Sequence, residues 1–505
     1  MEFIMTSGKI KHYVYITVTA VLLIFLFLSC SREQENKKNI IELRYGFTTE
    51  PMTLDPLNPA NTADGRSILF NVFEGLVKPD SQGTPQPCAA QSWIIGEDSL
   101  VYTFTLRENV RFHDGSVVTA ADVKFTLDSA AAAGYHGLGN IREIVIHNDN
   151  QIAVSLKTPD PEFLPYLTVG IVKAANVDRE REIIGTGPFY IESYTPQRNL
   201  VMRKHENYWQ ENLPLLDKVT IVFFANYDTL MVAFRGGSID GANITGSMAA
   251  QLDVSSLEIF TNRSAGVHLL ALNNSVYPFN DINVRRAFNY GIDAQGIIDA
   301  AFFGMGTPSG SPLIPGLSLY YENFNFYSYN PDLARALLAQ SGFNESNVLS
   351  LVITVPSNYS MHVDTAQVIA GQLQKIGVDA SITLVDWPTW LSDVYFGGRY
   401  ESTIITLDSP SVSPRGFLAR YHSGNAENFI NFKSIPYDYT YDAALAETNM
   451  QKRIALYKEA QRIIAENAAS VYIQDILYFI ALRGFAGAVD YPLYAIDFAR
   501  IYRKE

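Results

Sequence analysis

Three stretches in the second half of the chain repeat one order, an amphipathic helix, a stop and a strand. That order restricts the fold more than any other feature. In NPDLARALLAQSGF, Asn330 is placed to cap a helix, Pro331 suits its first turn and Gly342 suits its end. Leu333, Leu337 and Leu338 then share one face. VDTAQVIAGQLQKIGVDASITLV reads as a helix, a stop at Gly377 and a strand. MQKRIALYKEAQRIIAENAASVYIQ repeats the pattern, with Ile454, Tyr457, Ile463 and Ile464 pointing inward. Such units lay the apolar stripe of each helix on a sheet, so the expected class is α/β. The first half has a different rhythm. LRYGFTTE alternates Leu43, Tyr45 and Phe47, and VYTFTLREN alternates Tyr102, Phe104 and Leu106, as half-buried strands do. IREIVIHNDNQIAVSL reads as two strands about a turn at Asn148-Asp149-Asn150. A chain of 505 residues has room for two or three domains. Two α/β lobes with a strand-rich extra subdomain fit this order.

The N-terminus is a segment of another kind. Lys9 and Lys11 precede an apolar run from Val14 to Leu28 that leads to Cys30. A charged start, a short apolar stretch and small residues describe an export signal. The run is shorter than the roughly 20 apolar residues a spanning helix usually needs. Leu28-Ser29-Cys30 resembles a bacterial lipobox, in which the cysteine is lipidated and becomes the mature N-terminus. A plain cleaved signal and a lone anchor helix are the alternatives. Residues 1–29 are therefore expected to be a signal peptide and 30–39 a polar tether. The protein would then be a lipid-anchored one of the cell envelope, facing the periplasm or the cell exterior. If Cys30 is lipidated, Cys88 has no partner, and the fold must be held by its core rather than by a disulfide. The net charge of −14, without a basic cluster, argues against nucleic-acid binding. Aromatic residues at 12% supply either a large core or an aromatic-lined cleft.

RFHDGSVVTAADVKF sets His113 beside Asp114 and raises the question of an enzyme. A His–Asp pair can hold a metal or move a proton, or it can mark the corner of a hairpin. Asp-Gly is a strong turn signal, and Thr119 with Asp122 spells a capping box, so the expected structure is strand, turn and capped helix. The eight histidines show no HxH, HExxH or HxxxH spacing. There is no CxxC, no G-x-S-x-G and no Walker-type loop. The two glycines of GTGPF, Gly185 to Phe189, read as a close-packed turn. Acid pairs such as Asp160/Glu162 and Asp438/Asp442 are too common on surfaces to indicate a glycosidase. No catalytic residue, metal ligand or cofactor is expected.

The same stretch matters as part of a longer one. PQPCAAQSWIIGEDSLVYTFTLRENVRFHDGSVVTAADVKFTL closely resembles the bacterial extracellular solute-binding proteins of family 5, the peptide- and nickel-type components of ABC importers. The likeness continues in ILFNVFEGLVKPD, GTGPFYIESYTPQRNLVMRKHENYW, LALNNSVYPFNDINVRRAFNYGIDAQGIID and YNPDLARALLAQSGF, and so covers about Leu43 to Ala488. It implies a two-lobed periplasmic-binding-protein type II-like fold with an additional inserted α/β subdomain. Lobe I would combine 40–78, 186–274 and 487–505, the insertion would be 79–185, and lobe II would be 275–486. The chain would cross between lobes near Asn274 and near Phe485-Ala486-Gly487. A monomer would catch oligopeptides or dipeptides between its lobes and deliver them to a membrane permease. A nickel chelate or an oligosaccharide held by the same fold, and outside the class a secreted hydrolase, are the competing readings.

The resemblance also points to residues. Peptide-binding relatives place an acid after a strand, in a segment leading to Phe-Leu, where it meets the peptide ammonium. Here that segment is STIITLDSPSVSPRGFLARYHSGNAENF, and Asp408 is the acid at the matching place. The segment departs from the pattern, which often has a second acid before Pro. It is also about two residues longer by eye and brings in Arg415. Arg415 would pair with Asp408 itself or hold a ligand carboxylate. His422 would serve a metal chelate or a rim hydrogen bond. Trp387 and Trp390 lie where relatives place a tryptophan near the cleft, with core packing as the alternative. Asn273 and Asn274 would donate to ligand carbonyls or fix the chain crossing.

Overall fold

Two long antiparallel strands organise the molecule. The computed structural model describes residues 40–505 apart from 59–62, 81–82, 136, 177, 180, 250–251, 410–412 and 492–494. The signal segment, Cys30 and the tether thus lie outside the described residues. The strands used below are β1 (Glu42–Phe47), β2 (Ala90–Ile95), β3 (Val101–Leu106), β4 (Ile141–Asn148), β5 (Gln151–Leu156), β6 (Phe189–Thr195), β7 (Asn199–Lys204) and β8 (Lys218–Phe223). They continue as β9 (Gly241–Thr245), β10 (Leu257–Leu272), β11 (Gly306–Pro308), β12 (Leu349–Pro356), β13 (Val378–Val385), β14 (Ser402–Asp408) and β15 (Ser470–Arg483). The helices are α1 (Ala63–Phe70), α2 (Ala120–Ala132), α3 (Tyr227–Arg235), α4 (Ile282–Gly291), α5 (Ala294–Ala301), α6 (Pro331–Gln340), α7 (Ser360–Gln374), α8 (Ile435–Ala446) and α9 (Met450–Glu466).

An 11-stranded sheet runs β13-β12-β14-β10-β15-β9-β1-β8-β7-β6, with β11 on β15. β10 and β15 pair along nearly their whole lengths, from Leu257 opposite Arg483 to Ala271 opposite Ser470. Their outer neighbours change on the way. β14 joins β10 only from Gly266 to Leu272, and β9 joins β15 only from Tyr478 to Leu482. The β10–β15 ladder is irregular between Arg263 and Val267, close to this exchange. Strands buried on both faces read as continuous apolar runs rather than as alternation. That explains why β15 extends to Arg483, far past the VYIQ with which it opens. A separate four-stranded sheet, β2-β3-β5-β4, is closed by α2.

The helix–strand grammar holds, with two corrections of facing. Asn330 caps α6 by accepting from the Leu333 N–H, and Gly342 and Gly377 adopt positive φ after their helices. Leu333, expected inward with Leu337 and Leu338, is 38% exposed, because the buried face of α6 is narrow and centres on Ala334 and Leu338. In α9 Tyr457, Ile463 and Ile464 are buried, but Ile454 is only half-buried. Arg453 is buried beside it, with its guanidinium donating to the Glu447 carbonyl. Most of the aromatic residues prove to be core. Tyr400, Tyr421, Tyr437, Tyr441, Tyr457 and Tyr472 sit in one cluster with Trp390, Phe417 and Phe429. Cys88 is a free, buried thiol. No helix of the described residues is long and apolar enough to cross a membrane.

Candidate functional site

His113 and Asp114 turn the chain, as their sequence context predicts. Gly115 has φ +86°, the Phe112 and Ser116 backbones bond across the turn, and Arg111 bridges to Val117. Asp114 accepts from the Ser116 N–H and hydroxyl and pairs with Lys173 at 2.5 Å. Both ring nitrogens of His113 are committed. Nδ1 accepts from the Gly185 N–H at 3.1 Å, and Nε2–H donates to the Gly187 carbonyl at 3.1 Å. This fixes one neutral tautomer. Burial, with His205 beside it, pushes the ring down to about 3. The partner turn needs its glycines: a Cβ on Gly185 would lie 2.0 Å from the Val72 carbonyl oxygen. Thr119 and Asp122 bond as a capping pair, and Asp122 also accepts from the Ala174 N–H. The His113–Asp122 stretch thus joins the four-stranded subdomain to the Gly185–Gly187 turn that leads into β6. Among the described residues no group of three or more His, Cys, Asp or Glu is placed to hold a metal.

Two further histidines are buried neutral behind the strand that ends at Asp408. His268 on β10 and His362 on α7 stack at 5.5 Å, and His362 Nε2 meets the Thr406 hydroxyl at 3.1 Å. Burial lowers both rings, His362 to about 4 and His268, which also feels His362, well below the usual imidazole range. In the unfolded chain all three histidines take up protons near pH 6.5. Their contribution to stability is therefore complete above about pH 6.5 and lost as the pH falls below it, toward about 4 for His362 and about 3 for His113, at roughly 1.4 kcal/mol per pH unit for each. The urea midpoint is expected to drop between pH 7.5 and 5.0; a midpoint unchanged over that span would contradict neutral burial.

Asp408 is the last residue of β14, paired in register with Gly266. Its side chain is exposed and makes no ion pair among the described residues, while its carbonyl accepts from the buried guanidinium of Arg420. Beside it lies an aromatic wall. Asp386 caps a short helical turn by accepting from the Thr389 N–H, with Pro388 in the first turn, and this orients Trp387. Trp387 is half-buried. It stacks on Trp390 at 5.0 Å and meets Tyr359 edge-on at 5.6 Å. Trp390 is core, with Nε1–H donating to Thr403. Tyr359 is 40% exposed; burial raises its hydroxyl, and Asp408 is near enough to add to that. Facing Tyr359 is Tyr227, at the start of α3, raised by burial and by Asp64, with Tyr359 contributing. Asp64 at the start of α1 accepts from the Thr49 hydroxyl, and burial raises its carboxyl. Thr49, Asp64 and Tyr227 thus form one group within electrostatic reach of Tyr359, which adjoins Trp387 and is influenced by Asp408. Tyr227, Tyr359 and Asp64 escape sequence reasoning. Each tyrosine follows an asparagine at a helix start, which signals a terminus rather than a site.

The comparison with known proteins is decided by a family model. Residues 84–429, well over half of the chain, match the model of the "Bacterial extracellular solute-binding proteins, family 5 Middle". The chain belongs to this family. Among relatives of the family 5 chain, the glutathione-binding protein GsiB of Salmonella typhimurium is 28% identical over 452 residues, which cover 85% of this chain and 87% of that protein. The crystal structure of the ABC transporter substrate-binding protein CtaP from Listeria monocytogenes superposes with a TM-score of 0.84 at 23% identity, covering 93% of this chain and 100% of that one. DppA from Helicobacter pylori, solved with the peptide STSA, gives 0.75 at 24% identity over 93% and 100%. The shared fold is the two-lobed periplasmic-binding-protein type.

In this family 5 chain the remaining expected site residues are engaged within the fold. Arg415 does not pair with Asp408. Its Nη1 bonds Asp160 Oδ2 at 2.7 Å; Asp160 is buried, where a carboxylate without a counter-charge costs more than at the exposed Asp408. Next to it Glu162 accepts from the Tyr457 hydroxyl at 2.5 Å and lies 4.0 Å from Arg453. Burial raises the Glu162 carboxyl against these partners. Asp160 and Glu162, set aside in the sequence as an ordinary surface pair, thus join the segment after β5 to α9 and to Ser413–Arg415. Asn274 lies past the end of β10, with Nδ2 donating to the carbonyls of Leu272, Ala469 and Ile430. Asn273 binds Gly398 and Tyr400 in the same way. His422 faces Asp442 at 3.4 Å and Asp438 at 3.9 Å on α8.

Proposed function

We propose that this family 5 protein captures short peptides with a free amino terminus between two lobes and passes them to the permease of an ABC importer. The observation that carries the reading is Asp408: a carboxylate at a strand end, exposed, without an ion pair among the described residues, and walled by Tyr359 and Trp387. An ammonium there would gain a charge-assisted bond once the cleft excludes water. The aromatic wall would receive the peptide body with little side-chain selection. Among relatives, GsiB is named for binding glutathione, and DppA was solved with a peptide.

Closure would use the division into 40–78 with 186–274 and 487–505, an insertion 79–185, and 275–486. We place the crossing in the bodies of β10 and β15, where each strand exchanges its outer neighbour, rather than at Asn274 or Gly487. A Cβ on Gly487 would lie 2.7 Å from the Arg500 carbonyl oxygen, so that glycine serves close packing. The Arg415–Asp160 and Tyr457–Glu162 contacts would hold the closed form. Peptide binding shifts the equilibrium by the ligand's preference for that form. Native mass spectrometry of the purified protein tests this reading: a one-to-one complex with a free-amine peptide supports it, and a modified or cleaved peptide overturns it.

We further propose that the protein is a monomer anchored by lipid on Cys30. The support is Leu28-Ser29-Cys30 after a short apolar run. Each buried CH₂ of the acyl chains contributes about 0.8 kcal/mol, so several chains hold stably. Cys30→Ala is expected to move the protein from the membrane fraction to the soluble one, and unchanged membrane retention would contradict the anchor.

A further inference from the structure

We propose that the protein carries a second binding site, built by α4, α5, β11 and the loop 309–329, that takes a pyranose-type sugar. The site is a concave pocket of about 360 Å³, lined by Asn289, Asp293, Gln295, Asn323 and the stretch Phe324–Tyr329. That volume lies in the range of small-molecule sites. None of its lining residues belongs to the Asp408 cleft.

The loop is held in shape before any ligand arrives. The Gly310 N–H donates to Asn323 Oδ1 at 2.8 Å, and the Tyr327 hydroxyl donates to the Glu466 carbonyl at 2.5 Å. Gly310 lets the loop lie flat, since a Cβ there would come within 1.9 Å of the Phe324 carbonyl oxygen. Phe324 and Phe326 stack at 5.5 Å with planes 6° apart, and Phe326 keeps 39% of its surface exposed. An exposed ring of this kind offers a platform for the flat C–H face of a sugar, through many small dispersion contacts.

The polar wall selects the chemistry. Asn323 and Asn325 spend their carbonyl oxygens on Gly310 and Ser328, which leaves NH₂ donors. Asn289 and Gln295 donate to the Arg285 carbonyl and to Asp299, which leaves carbonyl acceptors. Asp293 precedes α5 without a side-chain capping bond and adds a carboxylate. No Lys or Arg lines the pocket, so an anion is disfavoured. A hydroxyl is donor and acceptor at once, and a ring bearing several of them satisfies both halves of this wall.

Saturation-transfer NMR on the full mature chain, with methyl glucoside, N-acetylglucosamine and cellobiose as probes, tests the site. At least one probe is expected to bind at about millimolar Kd. Phe326→Ala and Asn325→Ala should each weaken it about tenfold, Phe326→Tyr should retain it, and Asp408→Asn should leave it unchanged. The site does not rest on the peptide reading, so failure of that reading leaves these results standing. Absence of transfer from all three probes to the folded protein would overturn the proposal. So would binding that is lost in Asp408→Asn but kept in Phe326→Ala, which places the sugar in the cleft.

Discussion

Asp408→Asn is expected to weaken free-amine peptides about 60-fold, near 2.5 kcal/mol, and N-acetylated peptides far less. The substitution keeps shape and hydrogen-bonding capacity and removes one charge. The carboxylate is exposed at the end of β14, so its loss leaves no buried partner stranded in the free protein. The penalty therefore falls on the complex, where closure strips water from the ammonium and leaves it without its counter-charge. Calorimetric titration of matched peptides reads the difference. Equal weakening of both peptide types would remove Asp408 from the ammonium site.

Arg415→Met should cost about 3 kcal/mol of stability and loosen the closed form. It strands the Asp160 carboxylate, which is 4% exposed, next to the equally enclosed Glu162. Adding Asp160→Asn should recover part of the loss, because the second change removes the orphaned charge. Small-angle scattering supplies the readout that distinguishes a latch from a merely structural pair. In the presence of peptide the variant should remain more extended than the parent protein. A double-mutant cycle that is additive, together with an unchanged scattering profile, would contradict the latch.

Local structure and long-range partnership differ in how far the sequence discloses them. Local grammar is sufficient where one segment sets its own structure: Asn330 and Gly342 bound α6, the Asn148–Asn150 turn splits β4 from β5, and Asp114-Gly115 turns the hairpin. It also accounts for His113 and Asp114, whose context predicts the turn they form, with both His113 nitrogens bonded to backbone. Partnerships between distant segments are a different matter. Arg415 chooses Asp160, 255 residues away, over the nearer Asp408, and only the burial of Asp160 explains the choice. Asp408 and Trp387 are legible through family likeness alone. Tyr227 and Asp64 come from distant segments and carry no local mark. The large aromatic content is a poor guide for the same reason: many rings fill hydrophobic cores, among them the cluster around Tyr437 and Tyr457.

Native mass spectrometry of the protein as purified, followed by denaturation and mass analysis of what is released, tests the central claim most directly. The account predicts a stoichiometric adduct that comes off unchanged as a peptide with a free amino terminus, and an adduct diminished in Asp408→Asn. Release of a cleaved or otherwise converted molecule, or retention of a ligand without an amino group and indifferent to Asp408→Asn, would contradict it.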